Sequence, residues 1–138
     1  MPEVTIRTET PERHIAETRG HRIISDQPVD KGGTDLGMTP PELYLASLGA
    51  CIGVYAGSYC RNHSLKYEGM VIRITSEIVE DPRRMGKLHA RITLPEPVPE
   101  KLLPGLLATA KRCLIHNTIG LPPEVVIELE GHFGIPPD

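Results

Sequence analysis

From Leu43 to Cys60 the chain carries no charged residue, and nearly every position is apolar or small. A run of that length either crosses a bilayer or forms a helix that must be covered on every side. Its start decides between the two. Thr39 suits an N-cap, Pro40 the first helical position, and Glu42 the third position of a capping box. That is the punctuation of a soluble helix, and neither a second apolar span nor an aromatic belt accompanies it. The expectation is a central helix with no membrane role. Gly49, Gly53 and Gly57 recur at four-residue intervals along it, and a second backbone could approach closely there.

Period-two alternation fills the rest. Met70, Ile72, Ile74 and Ile78 alternate with Arg73, Thr75 and Glu77. After a turn around Asp81, Pro82 and Gly86, Leu88, Ala90, Ile92 and Leu94 repeat the pattern, and so do Val125, Ile127 and Leu129. Weaker strands are expected at Val4–Thr8, Arg13–Thr18 and His21–Ser25. The stretch Asp26–Met38 is turn chemistry throughout. A second helix is expected from about Pro99 to His116, with Leu102, Leu103, Leu106, Leu107, Ala110 and Cys113 on one stripe. The pattern predicts a single α+β domain over residues 1–138, with antiparallel sheets packed around a long buried central helix. So small a chain can hardly cover such a helix alone, so a homodimer is expected.

The net charge of −3 gives no reason to expect nucleic acid as a partner. The N-terminal MPEVTIRTETPER lacks the apolar core of a signal peptide. A cytoplasmic setting is therefore expected, with the three cysteines reduced at rest and any disulfide transient. Cys51 and Cys60 lie about 180° apart around the helix and about 13 Å apart along it, too far for a bridge, whose Cα atoms lie within about 7 Å. Cys60 reads as a small packing residue. An internal partner for Cys51 must then be Cys113. The chain has neither a C-x-x-C nor clustered histidines, so no metal or other cofactor is expected.

Two motifs carry a resemblance. PVDKGGTDLGMTPPELYLASLGAC, from Pro28 to Cys51, resembles the GG-loop, (T/S)PxEL and LGAC helix of the OsmC/Ohr family. CLIHNT, from Cys113 to Thr118, resembles that family's second-cysteine motif, with Leu114 where proline is usual. The resemblance implies an intertwined α+β homodimer and a thiol peroxidase acting on organic hydroperoxides. By the same resemblance Cys51 would be the peroxidatic cysteine and Cys113 the resolving one. Glu42 would be the carboxylate that positions an active-site arginine. An external dithiol, for which the Ohr branch suggests lipoylated proteins, would reduce the resulting disulfide.

A buried thiolate needs a cation to offset its desolvation, and none lies between Glu42 and Arg61. Arg19 and Arg22 are the candidates, and Lys31 is a poorer one because lysine lacks the planar fork. Glu42 could instead serve only as a cap, and His116 only as a helix-end contact. Two other functional classes are a non-catalytic protein binding a small hydrophobic ligand in a dimer cavity, and acyl transfer by Cys113 with His116. The second of these lacks an evident oxyanion hole.

Overall fold

The computed structural model describes residues 2–131. Strands β1 (Thr5–Thr8), β2 (His14–Thr18) and β3 (His21–Ser25) form an antiparallel sheet in that order. Helix α1 spans Pro40–Asn62, and β4 (Val71–Val79) pairs antiparallel with β5 (Arg84–Thr93) in a separate two-stranded ribbon. Helices α2 (Leu103–Ala110) and α3 (Leu114–Gly120) follow. The expected α+β class, with antiparallel sheets about a long helix, is what forms.

The start of α1 forms as its residues dictate. The Thr39 hydroxyl accepts the Glu42 N–H, and the Glu42 carboxylate accepts the Thr39 N–H at 3.1 Å, closing the capping box. Before it, the loop from Asp26 is tied down by one carboxylate. Asp26 accepts the Thr34 hydroxyl at 2.7 Å and the N–H groups of Gln27, Thr34 and Leu36. The Thr34 hydroxyl does most to hold its pKa down at about 2, from 3.8; burial opposes this, and the three N–H bonds add to the lowering. A side chain at Gly33 would strike the Gln27 carbonyl, so only glycine lets this loop close. At its exit, the Asp26 N–H and the Ser25 hydroxyl both donate to the Met38 carbonyl. The loop thus delivers Thr39 to its cap.

One stripe of α1, Leu48, Ile52, Ala56 and Cys60, is buried against Leu106, Ala110 and Cys113. The i, i+4 spacing puts these four on one face. Tyr59 ties the two helical segments together, its hydroxyl donating to the Leu102 carbonyl at 3.0 Å while Gly105 leaves room for its ring. No residue of β1–β3 joins this core.

The structure corrects three expectations. The glycines of α1 already have neighbours in the same chain, the side chains of β4 and of Met70 just before it. An added Cβ at Gly49 would lie 3.2 Å from Ile74, at Gly53 3.4 Å from Ile72, and at Gly57 3.8 Å from Met70. Within one chain the burial of α1 is one-sided, and the face that the expected second copy would cover is open: Ala46, Ala50 and Val54 are exposed, Val54 at 69%. The helix expected over Pro99–His116 is broken. Lys111 and Arg112 form a turn, and Cys113 takes an extended backbone to cap α3. Finally, Val125, Ile127 and Leu129 form no strand and lie exposed. Their alternation asks for a sheet edge, and none among the described residues pairs with it.

Candidate functional site

The break before α3 is what brings the cysteines together. As N-cap of α3, Cys113 turns its sulfur back onto its own helix, where it accepts the His116 N–H at 3.2 Å. It is fully buried in the core cluster, and Cys51 packs against that cluster from α1. The two thiols adjoin closely enough to act on each other's ionisation. Burial pushes the Cys113 thiol up, and the Cys51 thiol adds to this. The N–H groups of His116 and Ile115 pull it the other way. Cys113 therefore rests as a protonated thiol.

The pair is asymmetric. Cys51 is half-buried and open to a small reagent, whereas Cys113 has no exposed surface. Cys60 is equally buried, lies two and a half turns further along α1, and its thiol is pushed up by burial alone. It is a packing residue, as expected.

The remaining candidates lie apart from the sulfurs. Glu42 is an exposed cap and, among the described residues, forms no ion pair. Arg22 faces Glu17 across β2–β3 at 3.9 Å. Arg19 sits at the tip of the same hairpin. Thr18 pairs with His21, leaving Arg19 and Gly20 as a two-residue turn with φ of 49° and 82°. Positive φ at both positions is the type I′ pattern, which ordinarily takes Asn-Gly or Gly-Gly. An arginine there is strained by about 1–2 kcal/mol. Both arginines border a polar crevice with Glu3, Arg7 and Glu17 on the outer sheet, outside the cluster that holds Cys51. Within one chain, no arginine candidate reaches the thiols, because the hairpin that carries them does not join the core.

His116 does not act on Cys113 through its ring. Its Nδ1 bonds to the Lys111 carbonyl at 2.7 Å, and only its backbone N–H meets the sulfur. Asp26 was not foreseen as an organising residue. Its only sequence signal is an aspartate opening a loop that returns a threonine eight positions later.

The model of the OsmC-like protein family matches residues 32–128, which include the GG-loop, α1 and both cysteines. The chain belongs to the OsmC-like family. A structure from Psychrobacter arcticus 273-4, described as an osmotic stress induced and detoxification response protein, has a TM-score of 0.77 and 25% identity. The match covers 86% of this chain and 88% of that one. An organic hydroperoxide resistance protein OsmC from Legionella pneumophila matches with TM-score 0.59 at 20% identity, over 86% and 88% of the two chains. One from Elizabethkingia anophelis, an organic hydroperoxide resistance protein with thiocyanate bound, gives 0.60 at 17% identity, over 86% of each. The last two share the OsmC-like fold. No curated protein matches this sequence.

Proposed function

We propose that this OsmC-like protein is a cytoplasmic thiol peroxidase that reduces organic hydroperoxides with the Cys51–Cys113 pair. The observation that carries the reading is the asymmetric contact of the two thiols. A half-buried sulfur that a peroxide can reach adjoins a fully buried one that it cannot.

The chemistry follows from that order. The Cys51 thiolate attacks the distal peroxide oxygen, the O–O bond breaks, and the alcohol leaves as the sulfur becomes a sulfenic acid. Cys113, kept out of solvent and hence out of reach of a second peroxide, attacks that sulfur. A disulfide forms and water departs. A dithiol, for which lipoylated proteins are the candidates, then restores both thiols by exchange.

A homodimer completes the site in this reading. Three apolar features of the chain lack cover: the Ala46–Ala50–Val54 side of α1, the groove between α1 and β4, and the segment from Leu121 to Leu129. A second copy supplies cover for them, and it brings a β2–β3 hairpin with its strained Arg19 to the thiols. In this reading Glu42, which lines the same groove, receives that arginine.

Consumption of cumene hydroperoxide with dihydrolipoamide as reductant tests the activity. Turnover should vanish in Cys51→Ser. In Cys113→Ser without the dithiol, consumption should stop after about one equivalent and leave a sulfenic acid at Cys51, since that sulfur has no partner within the protein. Equal turnover in wild type and Cys51→Ser would overturn the proposal.

A further inference from the structure

A cavity of about 600 Å³ opens between α1, β5 and the α2–α3 junction. Its floor is aliphatic, formed by Leu48 and Ile52 of α1, Leu88 and Ile92 of β5, and Leu107 of α2. Around it stand Arg84, Lys87, Lys111 and His116, and no carboxylate is among its lining residues. The chain as a whole has 18 acidic and 15 basic residues, so a wall with three cations and no acid runs against its composition.

The basic groups are differently engaged. Arg84 is held by the hairpin, its Nη1 donating to the Pro82 carbonyl at 2.9 Å. Lys87 stands opposite Glu77 in the strand register. Lys111 forms no ion pair among the described residues, and it is exposed. Its carbonyl fixes the tautomer of His116: a carbonyl only accepts, so Nδ1 carries the proton and Nε2 is left free. Size, an aliphatic floor and a few polar groups are the profile of a small-molecule site. Neither Cys51 nor Cys113 lines it.

We infer that this cavity binds a single-chain amphiphile with an anionic head, its aliphatic chain on the Leu48–Ile52–Leu88–Ile92 floor and its head at Lys111. The inference does not rest on peroxidase chemistry, because the ligand need carry no peroxide. Carboxylate and phosphate heads share the required charge.

Calorimetric titration of the reduced full-length protein with dodecanoate, dodecyl phosphate and dodecanol, each below its micellar concentration, tests this. At least one anion should bind at one site per chain, and dodecanol should bind at least about tenfold more weakly, because it forfeits the charge-assisted contacts. Whichever anion binds better identifies the head. Lys111→Glu, a change at an exposed position, should weaken the anion by about tenfold and leave dodecanol unchanged. Equal affinity for dodecanol, indifference to Lys111→Glu in a folded variant, or no binding at all would overturn the inference. Loss of peroxide turnover with dodecanoate binding intact would count against the peroxidase alone.

Discussion

Alanine substitution along the glycine stripe of α1 tests the packing of the central helix. Each Gly→Ala change in a helix gains about 0.8–1.0 kcal/mol of propensity. What offsets the gain is the room for a Cβ. At Gly57 the nearest neighbour would be Met70 Cε at 3.8 Å, an ordinary contact, so nearly the full gain should survive. At Gly53 the distance to Ile72 Cδ1 is 3.4 Å, and a few tenths of a kilocalorie should be lost to adjustment. At Gly49 the Cβ would sit 3.2 Å from Ile74 Cδ1. Ile74 must then give way by a few tenths of an ångström, and bending its side chain off the rotamer minimum costs up to about 0.5–1.5 kcal/mol, enough to cancel the gain. The expected order of stability is Gly57→Ala, then Gly53→Ala, then Gly49→Ala and wild type together. Urea unfolding followed by far-UV circular dichroism measures this, at one protomer concentration because an oligomer's midpoint depends on it. A loss of more than about 1 kcal/mol in Gly57→Ala would refute the assignment of Met70, the residue before β4, to this face. It would place another chain's backbone there.

Three further outcomes follow from the same geometry. The Asp26 carboxylate is held down to about 2 from 3.8, so its contribution is fully present above pH 3.8 and fades as pH falls through about 2. The stability difference between wild type and Asp26→Asn, measured by urea unfolding from pH 5 to pH 2, should shrink over that interval; a constant difference would remove the carboxylate's charge from the account. Iodoacetamide should label Cys51 first and leave Cys60 and Cys113 untouched until the protein unfolds, as peptide mapping would show; early labelling of Cys113 would contradict its burial. Arg19→Gly should raise stability by about 0.5–1 kcal/mol by relieving the positive φ, yet lower peroxide turnover by about tenfold or more. Unchanged turnover would remove Arg19 from the site.

Much of this was legible in the sequence for identifiable reasons. Strands β4 and β5 announced themselves because one face of each meets the core, and their residues alternate accordingly. The start of α1 was legible because Thr39, Pro40 and Glu42 each satisfy a local rule. The break at Cys113 was not, because Leu102 through Cys113 keep a continuous apolar stripe and neither Lys111 nor Arg112 is a helix breaker. Only C-x-x-H hinted that a thiol could cap the next turn, as a serine would. The glycine stripe misled, since spacing shows that something approaches closely but not which element does. Asp26 escaped notice because its bonds close over eight to ten residues. The cavity escaped because its walls come from four separate elements. Arg19 and Arg22 illustrate the opposite limit. The sequence named them, but one chain leaves them on an outer hairpin.

The central claim, that Cys51 and Cys113 form a peroxide-driven couple, is tested most directly by mapping disulfides after one equivalent of cumene hydroperoxide is added to the reduced protein. The account predicts a single Cys51–Cys113 cross-linked peptide, with Cys60 still a free thiol. Both thiols free and the peroxide unconsumed, or a bridge to Cys60, would contradict it.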